Sequence, residues 1–507
     1  MTDATRIQNA DAAIIQATVT ENDSHENSTD NLEKELSSVK DTSVEIKKGS
    51  EPHCVFSKSK RMVICLIVSY SALISPLSGN SYYPALPQIS QEFDVSISLA
   101  NLSVTSYTIF QALSPSFWGP ISDLVGRRPV YIATIVIFIG ICVGLALAPS
   151  YSALLVLRMF QAFGSSSAIA LGGGVITDIS TPAERGGYIG IFMFCQTISM
   201  AVGPLVGGII SDKLSWRWLF WVLLMMGLIG LVLVFFFLPE TLRSLVGNGS
   251  GYANPTPSQW FKHRKISNKN VTSFEPLTPT TRKIPNFLEP YLVLRNPDVT
   301  IIMMINGCFT YLPYCIMVTT PPHFSTIYGL SELQVGLCYI CLGTGMIFGS
   351  FLSGRLLNRD YKVIALEQGI ALDEIKKSGK LALDFPIYLA RLRSCWVAMV
   401  LDVFVALGYG WVLYTKALLA VPVILQFLGA TITGSSNIFR CMFGAIAAST
   451  IQLGIDRVGL GWMFTIIGLL LAIILSLIPI LFKFGPIWRL RRSEKQSRHN
   501  TQGDTKV

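Results

Sequence analysis

The sequence predicts an all-α, polytopic membrane protein, and three observations carry that reading. Of 507 residues, 51% are hydrophobic and only 14% are charged, a balance that soluble domains rarely reach. Apolar stretches of about 20 residues, enough to cross about 30 Å of hydrocarbon, recur along the chain. Lys and Arg gather in the tails and in alternate loops, the asymmetry that orients a membrane protein.

Taken in order, residues 1–57 are polar and rich in Asp, Glu, Ser, Thr and Asn. They read as a disordered cytosolic tail without a cleavable signal pattern. Spans are predicted near 62–82, 99–119, 130–149, 153–176, 188–210 and 217–238, making an N-terminal six-span bundle over 58–238. The polar stretch 239–298, with Lys262, His263, Arg264 and Lys265, reads as a cytosolic linker. A second bundle occupies 299–484, with spans near 299–322, 334–357, 394–414 and 460–482 and a polar loop at 358–393. Residues 485–507 form a cytosolic tail.

The crowded region 417–454 must hold the remaining spans. Split at Thr433–Ser436, each arm has roughly 17 residues, or about 25 Å of helix, which local bilayer thinning accommodates. As one helix it would run to about 57 Å and put the basic C-terminal tail outside. Two short spans are the preferred reading. Lys58, Lys60, Arg61, Arg127, Arg128, Arg185, the 262–265 cluster, Arg391, Arg393, Arg489, Arg491 and Arg492 then share one side. The opposite loops 83–98 and 325–333 lack Lys and Arg, while Lys213, Arg217, Lys416 and Arg457 are exceptions. Both termini are expected in the cytosol.

Several function classes find no support. The formal charge of +9 comes from loops and tails rather than from a nucleic-acid patch. There is no phosphate-binding loop of the Gly-Lys-Ser/Thr type. Five histidines are scattered, at 25, 53, 263, 323 and 499, so metal and hydrolase chemistry are not expected, nor is a cofactor. Most of the ten cysteines, such as Cys65, Cys142, Cys195, Cys308, Cys315, Cys338 and Cys341, lie inside apolar runs and read as small packing residues.

The most informative stretch lies between the second and third spans. Gly119, Asp123, Gly126, Arg127 and Arg128 follow the spacing G-x-x-x-D-x-x-G-R-R. Gly126 permits a tight turn because glycine tolerates positive φ. Asp123 sits in the last turn of the preceding span, and Arg127 and Arg128 are expected as headgroup anchors. An Asp–Arg latch here would hold the cytosolic side shut; an ordinary positive-inside loop is the alternative. Further motifs are Leu77–Leu86, Arg158 to Gly164, Thr181 to Gly186, Gly203-Pro204 with Gly207 and Gly208, and Leu238 to Leu242. Asp384 to Ile387 and Ala420 to Gln426 complete the set.

Together these residues resemble the major facilitator superfamily, and within it the fungal twelve-span drug:proton antiporters. The branch they resemble holds the quinidine-resistance, dityrosine and citrate exporters. The resemblance covers roughly residues 55–490 and implies a fold of two six-helix bundles that rock around a midplane cavity. It implies export of small organic compounds or drugs in exchange for protons, at a fungal plasma membrane or another internal membrane, by a monomer and not an enzyme. An organic-anion exporter of the citrate type is the rival within transport. One departure stands out: after Gln426 the family continues through the rest of its tenth span and an acidic loop, whereas here Leu428 runs almost at once into Ser436-Asn437. A deletion, a splice form or a faulty gene assembly would each produce this, and a non-transporting variant is the rival from another class.

Individual residues follow. Arg158 lies inside the fourth span, where a charge usually faces a cavity or a partner; the resemblance implicates it in proton coupling, and snorkelling to the interface is the alternative. Gln161, one helical turn on, shares its face and is a candidate cavity residue. The Gly203, Pro204, Gly207, Gly208 stretch is the family's antiporter signature, a kinked hinge or seal, with a plain packing kink as the alternative. Gln196 lies about two turns before Gly203 and is a candidate for the same cavity. Tyr107 with Gln111, and Tyr311 with Tyr314, suit an amphipathic substrate or equally an interfacial belt, and for Tyr82 and Tyr83 the belt is favoured. Asp402 is an acid inside the ninth span, able to carry a proton or to serve as a paired structural charge. Asn437 and Arg440 match the family's eleventh-span stretch, where Arg440 would bind an anion bidentately.

Overall fold

Serines and one glycine set where the first helices begin. The computed structural model describes residues 54–267, 292–367, 395–430 and 437–504, with single positions 287, 389 and 393. In the N-terminal half, α1 spans Lys58–Asn80, α2 Ile97–Val125, α3 Arg127–Ala146, α4 Tyr151–Ile179, α5 Pro182–Lys213 and α6 Trp216–Phe237. Ser57, Ser96, Ser150 and Ser215 cap α1, α2, α4 and α6, each hydroxyl accepting from a backbone N–H two or three residues on. Each satisfies one of the orphan donors that every helix start carries. Gly126, at φ 115°, ends α2 and starts α3 with no intervening loop. A short helix, Leu86–Glu92, connects α1 to α2. Val55 donates to the Asn248 carbonyl at 3.0 Å, so ordered structure begins before residue 57; the rest of the tail lies outside the described residues.

The C-terminal half holds α7 (Pro297–Tyr328), α8 (Glu332–Glu367), α9 (Cys395–Tyr414), α10 (Ala420–Gly429), α11 (Asn437–Val458) and α12 (Leu460–Leu475). A further helix, Leu477–Asp504, follows α12. Among the described residues, nine helices are long and apolar enough to cross a membrane, and α2, α10 and α11 are not among them. For α2 the cause is its buried polar face, Asn101, Thr105, Thr108 and Gln111 among others, which packs on α11. The expectation of two equal arms in 417–454 is corrected. Helix α10 has 10 residues, about 15 Å, and α11 has 22, about 33 Å. The turn expected at Thr433–Ser436 lies outside the described residues.

Packing follows the same scheme in each half. In the first half, α1 lies on α5, α3 on α6 and α2 on α4; in the second, α9 lies on α12, α8 on α10 and α7 on α11. The halves meet along α5–α8 and α2–α11. Close approach along α5–α8 needs small residues: Gly208 faces the Glu332 carbonyl and Gly336, and Gly343 abuts Ala201. Outward, α6 exposes Trp221, Met225, Ile229, Val232 and Phe236, an apolar face suited to lipid.

Candidate functional site

The loop at Gly126 builds a charged network. Arg127 Nη2 pairs with Asp123 Oδ1 at 2.8 Å and Arg127 Nε with Asp178 Oδ2 at 3.4 Å, while Nη1 donates to Ser122 Oγ at 2.6 Å. The Asp123–Arg127 pair is thus formed, but Asp178 was not foreseen, and Glu240 was noted only within the Leu238 to Leu242 motif. Glu240 is buried. Its carboxylate accepts from the backbone N–H groups of Arg127, Arg128, Thr241 and Leu242 and from Asn254 Nδ2. Any side chain at 126 would strike Glu240 and Asn254, so glycine is required there by space as well as by φ. Gly119 has open space around it.

Arg128 corrects an expectation. Instead of anchoring in headgroups it is buried, donating to the carbonyls of Asn254 (3.0 Å), Pro255 (2.6 Å) and Phe235 (2.7 Å). Three charge-assisted bonds to carbonyls offset much of the cost of leaving water, while Nε is buried without a partner among the described residues. These partners of Arg127 and Arg128 all belong to the N-terminal half and the segment just after α6. Among the described residues, these contacts of Arg127 and Arg128 brace one half.

A cavity lies where the halves converge. Its lining includes Asn80 from α1, Tyr83 beyond it, Tyr107, Thr108 and Gln111 from α2, Met200 from α5, Tyr314 from α7 and Arg440 from α11. Its void is about 20 Å³, room for about one water. Gln111 Nε2 donates to Ser75 Oγ at 3.3 Å and Oε1 accepts from Cys441 Sγ at 3.6 Å. The Tyr314 ring packs against Gly444. Among the described lining residues Arg440 is the one charged group.

Arg158 sits behind this lining, fully buried. Its guanidinium is sandwiched between the rings of Tyr82 and Tyr107, at 4.1 and 4.2 Å. Nη1 donates to Gln161 Oε1 at 2.7 Å and to the Ser78 carbonyl at 3.4 Å. Nε and Nη2 have no partner among the described residues. Desolvated ring faces are good partners for a cation, and Gly79 lets the Tyr107 ring close in, at 3.1 Å from where its Cβ would be. Tyr82 and Tyr83 are buried, not an interfacial belt: the first cages Arg158 and the second lines the cavity.

The glycine–proline stretch of α5 packs closely on α1 and α8 at the end of the molecule away from Gly126. Gly203 and Gly207 face Asn80 and Ser81 at the end of α1, and Gly208 faces the start of α8. Pro204 lies inside the helix, and its carbonyl faces Gly336.

A sequence profile described as Major Facilitator Superfamily matches residues 68–439. The chain belongs to the Major Facilitator Superfamily. It is 33% identical over 481 residues to citrate exporter 1 of Aspergillus niger, covering 88% of this chain and 90% of that one. To multidrug transporter QDR2 of Candida glabrata it is 29% identical over 498 residues, covering 88% and 84%. A solved structure, the human organic anion transporter MFSD10 (TETRAN), aligns over 82% of this chain and 99% of its own, with a TM-score of 0.48 and 16% identity. The fungal exporter branch read from the sequence is thereby upheld, and the protein is a multi-pass membrane transporter.

Within this superfamily fold, not every expected residue reaches the cavity. Gln161 is turned away, held by Arg158 and donating to Cys142 Sγ at 3.4 Å. Tyr311 reaches Thr450 at 3.0 Å, tying α7 to α11. Gln196 does not line the cavity; its Nε2 is buried without a partner among the described residues. The side chain of Asn437 lies outside the described residues. Asp402 is fully buried in α9, in the opposite half from Arg158. A repeat also went unnoticed: Gln161 and Gly164 in α4 recur as Gln426 and Gly429 in α10. Gly164 packs on the backbone of Thr134 and Phe138 in α3, and Gly429 on the side chains of Val405 and Asp402 in α9. The signal was the shared Gln-x-x-Gly spacing in two helices of matching rank.

Proposed function

We propose that this transporter exports a small organic compound by alternating access, in exchange for protons, and that the compound presents an anionic group to Arg440. The supporting observation is the composition of the cavity: tyrosines, amides and one guanidinium among the described lining residues. Aromatic rings supply apolar contact area and hydroxyl donors; a guanidinium grips a carboxylate bidentately. The organic-anion reading is therefore favoured over a cationic-drug site, and the kinship with a citrate exporter agrees with it. A void of about 20 Å³ is too small for such a compound, so loading requires the halves to part.

The α5 glycines then act as the seal away from the Gly126 end, and the Arg127 network as the brace that lets the N-terminal half move as one body. The reading places the protein in the fungal plasma membrane as a single subunit with both termini cytosolic. The short α10 favours one competing view, a protein that has lost transport. Purified protein in liposomes loaded with labelled citrate or labelled quinidine separates these readings. Citrate efflux above that of empty liposomes, falling at least tenfold in Arg440→Ala, is expected. Quinidine efflux indifferent to Arg440→Ala would overturn the anion reading, and no efflux of either probe would favour the non-transporting one.

A further inference from the structure

Asp402 is an acid to which the packing among the described residues offers no hydrogen-bond partner at either carboxylate oxygen. It is fully buried. Gly429 of α10 lies against it: a Cβ there would be 3.8 Å from Asp402 Oδ1 and 3.8 Å from Ile316 of α7. Helix α10 carries no Asp, Glu, Lys, Arg or His, and neither does α12, the helix packed most extensively on α9. On α7, Tyr328 donates to the Ala417 carbonyl at 2.7 Å, the Tyr314 ring lies against Gly444, and the thiols Cys308 and Cys315 are buried. Asp298 pairs with Arg492 at 2.6 Å, His323 Nδ1 meets the Thr319 carbonyl at 2.9 Å, and Tyr311 meets Thr450. On α9 itself, the Tyr409 hydroxyl lies within hydrogen-bond distance of Gln426 Nε2 and Thr320 Oγ1, both at 3.3 Å.

An ionised carboxylate in that position would bear the full cost of an unpaired buried charge. A neutral acid would not. One helical turn before Gly429, Gln426 leaves its Oε1 buried and without a partner among the described residues, although its amide nitrogen is satisfied by Thr320 and Tyr409. Among the described residues, the interior of the C-terminal half thus holds an acid and, on the Gln426 amide whose nitrogen meets Tyr409 and Thr320, an amide oxygen, both without partners. The structure assigns to Asp402 the role of a proton-binding site: it holds one proton as the neutral acid while α9, α10 and α7 are packed together. It releases that proton when those helices part and water reaches the carboxylate. The balance is one proton taken up by one carboxylate and later given to water, with no other bond changed. The transport role of this site rests on the exchange reading above, in which that proton enters as the organic compound leaves.

The test uses the full-length protein in lipid nanodiscs and infrared difference spectra recorded across acidic to alkaline pH. A carbonyl band of a protonated carboxylic acid is expected at neutral pH, absent in Asp402→Asn and present at a shifted frequency in Asp402→Glu. An identical band in wild type and Asp402→Asn, or no band in a wild-type protein shown to be folded, would overturn the assignment. In liposomes, pH-gradient-driven citrate movement should fall at least tenfold in Asp402→Asn and recover in part in Asp402→Glu. Gradient-driven movement unchanged in Asp402→Asn would overturn the transport role while leaving proton exchange standing. A wild-type protein indifferent to the gradient would instead overturn the exchange reading itself.

Discussion

The two halves solve one packing problem alike and then set an arginine on the solution in one and a carboxylic acid in the other. In the first half Gln161 and Gly164 dock α4 onto α3, and Arg158, one turn earlier, is caged by Tyr82 and Tyr107. In the second, Gln426 and Gly429 dock α10 onto α9, and the acid Asp402 lies against the glycine. The cation has ring faces, an amide and a carbonyl; the acid has no partner among the described residues. The difference teaches that a repeated scaffold can be specialised by one residue per half. A guanidinium remains charged in any state and so must be given permanent partners, whereas a carboxyl can shed its charge by binding a proton.

The largest expected effect breaks the caged side. Arg158→Ala should lower transport at least tenfold at equal membrane abundance. Arg158→Lys should restore only part of it, because an ammonium lacks the plane that fills the space between two rings. Wild-type efflux in Arg158→Ala would reduce the cage to packing.

A second comparison sets the charge networks at the Gly126 end against each other. Glu240 accepts from four backbone N–H groups and one amide. Glu240→Ala leaves those donors unpaired and should cost about 2–4 kcal/mol of stability. In the other half, the Glu367–Arg393 pair at 3.4 Å is between exposed side chains, and Glu367→Ala should cost less than about 0.5 kcal/mol. Thermal unfolding of both variants in detergent checks the ranking, and equal losses would contradict it. Asp123→Asn should fall between them, since Asp123 is 58% exposed while Asp178 continues to hold Arg127.

The smallest effect sharpens the repeat itself. A Cβ at Gly164 would lie 3.0 Å from the Phe138 nitrogen and the Thr134 oxygen, backbone atoms that cannot give way, so Gly164→Ala should cost about 1–3 kcal/mol. At Gly429 it would lie 3.1 Å from the tip of Val405, which can turn aside. The helix propensity gained by alanine, about 1 kcal/mol, should leave Gly429→Ala close to neutral. Melting curves that show equal losses would mean the two docks are not built differently.

The fold was legible in the sequence because apolar length and loop charge are written one residue at a time. The Gly126 turn and the Asp123–Arg127 pair were legible for the same reason, being set by local spacing, whereas Tyr107, Gln111 and Tyr314, which line the cavity, were equally open to an interfacial belt, and Arg440 was reached only through the family resemblance. The remainder depended on which face of a helix meets which neighbour. Arg128 goes inward because the segment after α6 brings three carbonyls to it, a contact across more than a hundred positions of chain. Tyr82 and Tyr83 look interfacial by position, yet the end of α1 is folded under by the glycines of α5. Tyr311 and Gln161 have the right chemistry for a cavity and the wrong rotation for it. The unequal arms of 417–454 were hidden because hydropathy marks a region and not the place where it turns.

The account rests on movement of an organic compound against protons, and the most direct measurement is efflux from liposomes while only the pH gradient is changed. Wild-type protein should extrude labelled citrate against its concentration gradient when an imposed proton gradient drives it. Extrusion should fall to passive leakage when an ionophore collapses that gradient at constant membrane potential. Uphill citrate extrusion that continues unchanged after the collapse would contradict the exchange and leave the acid in α9 without the purpose argued for it.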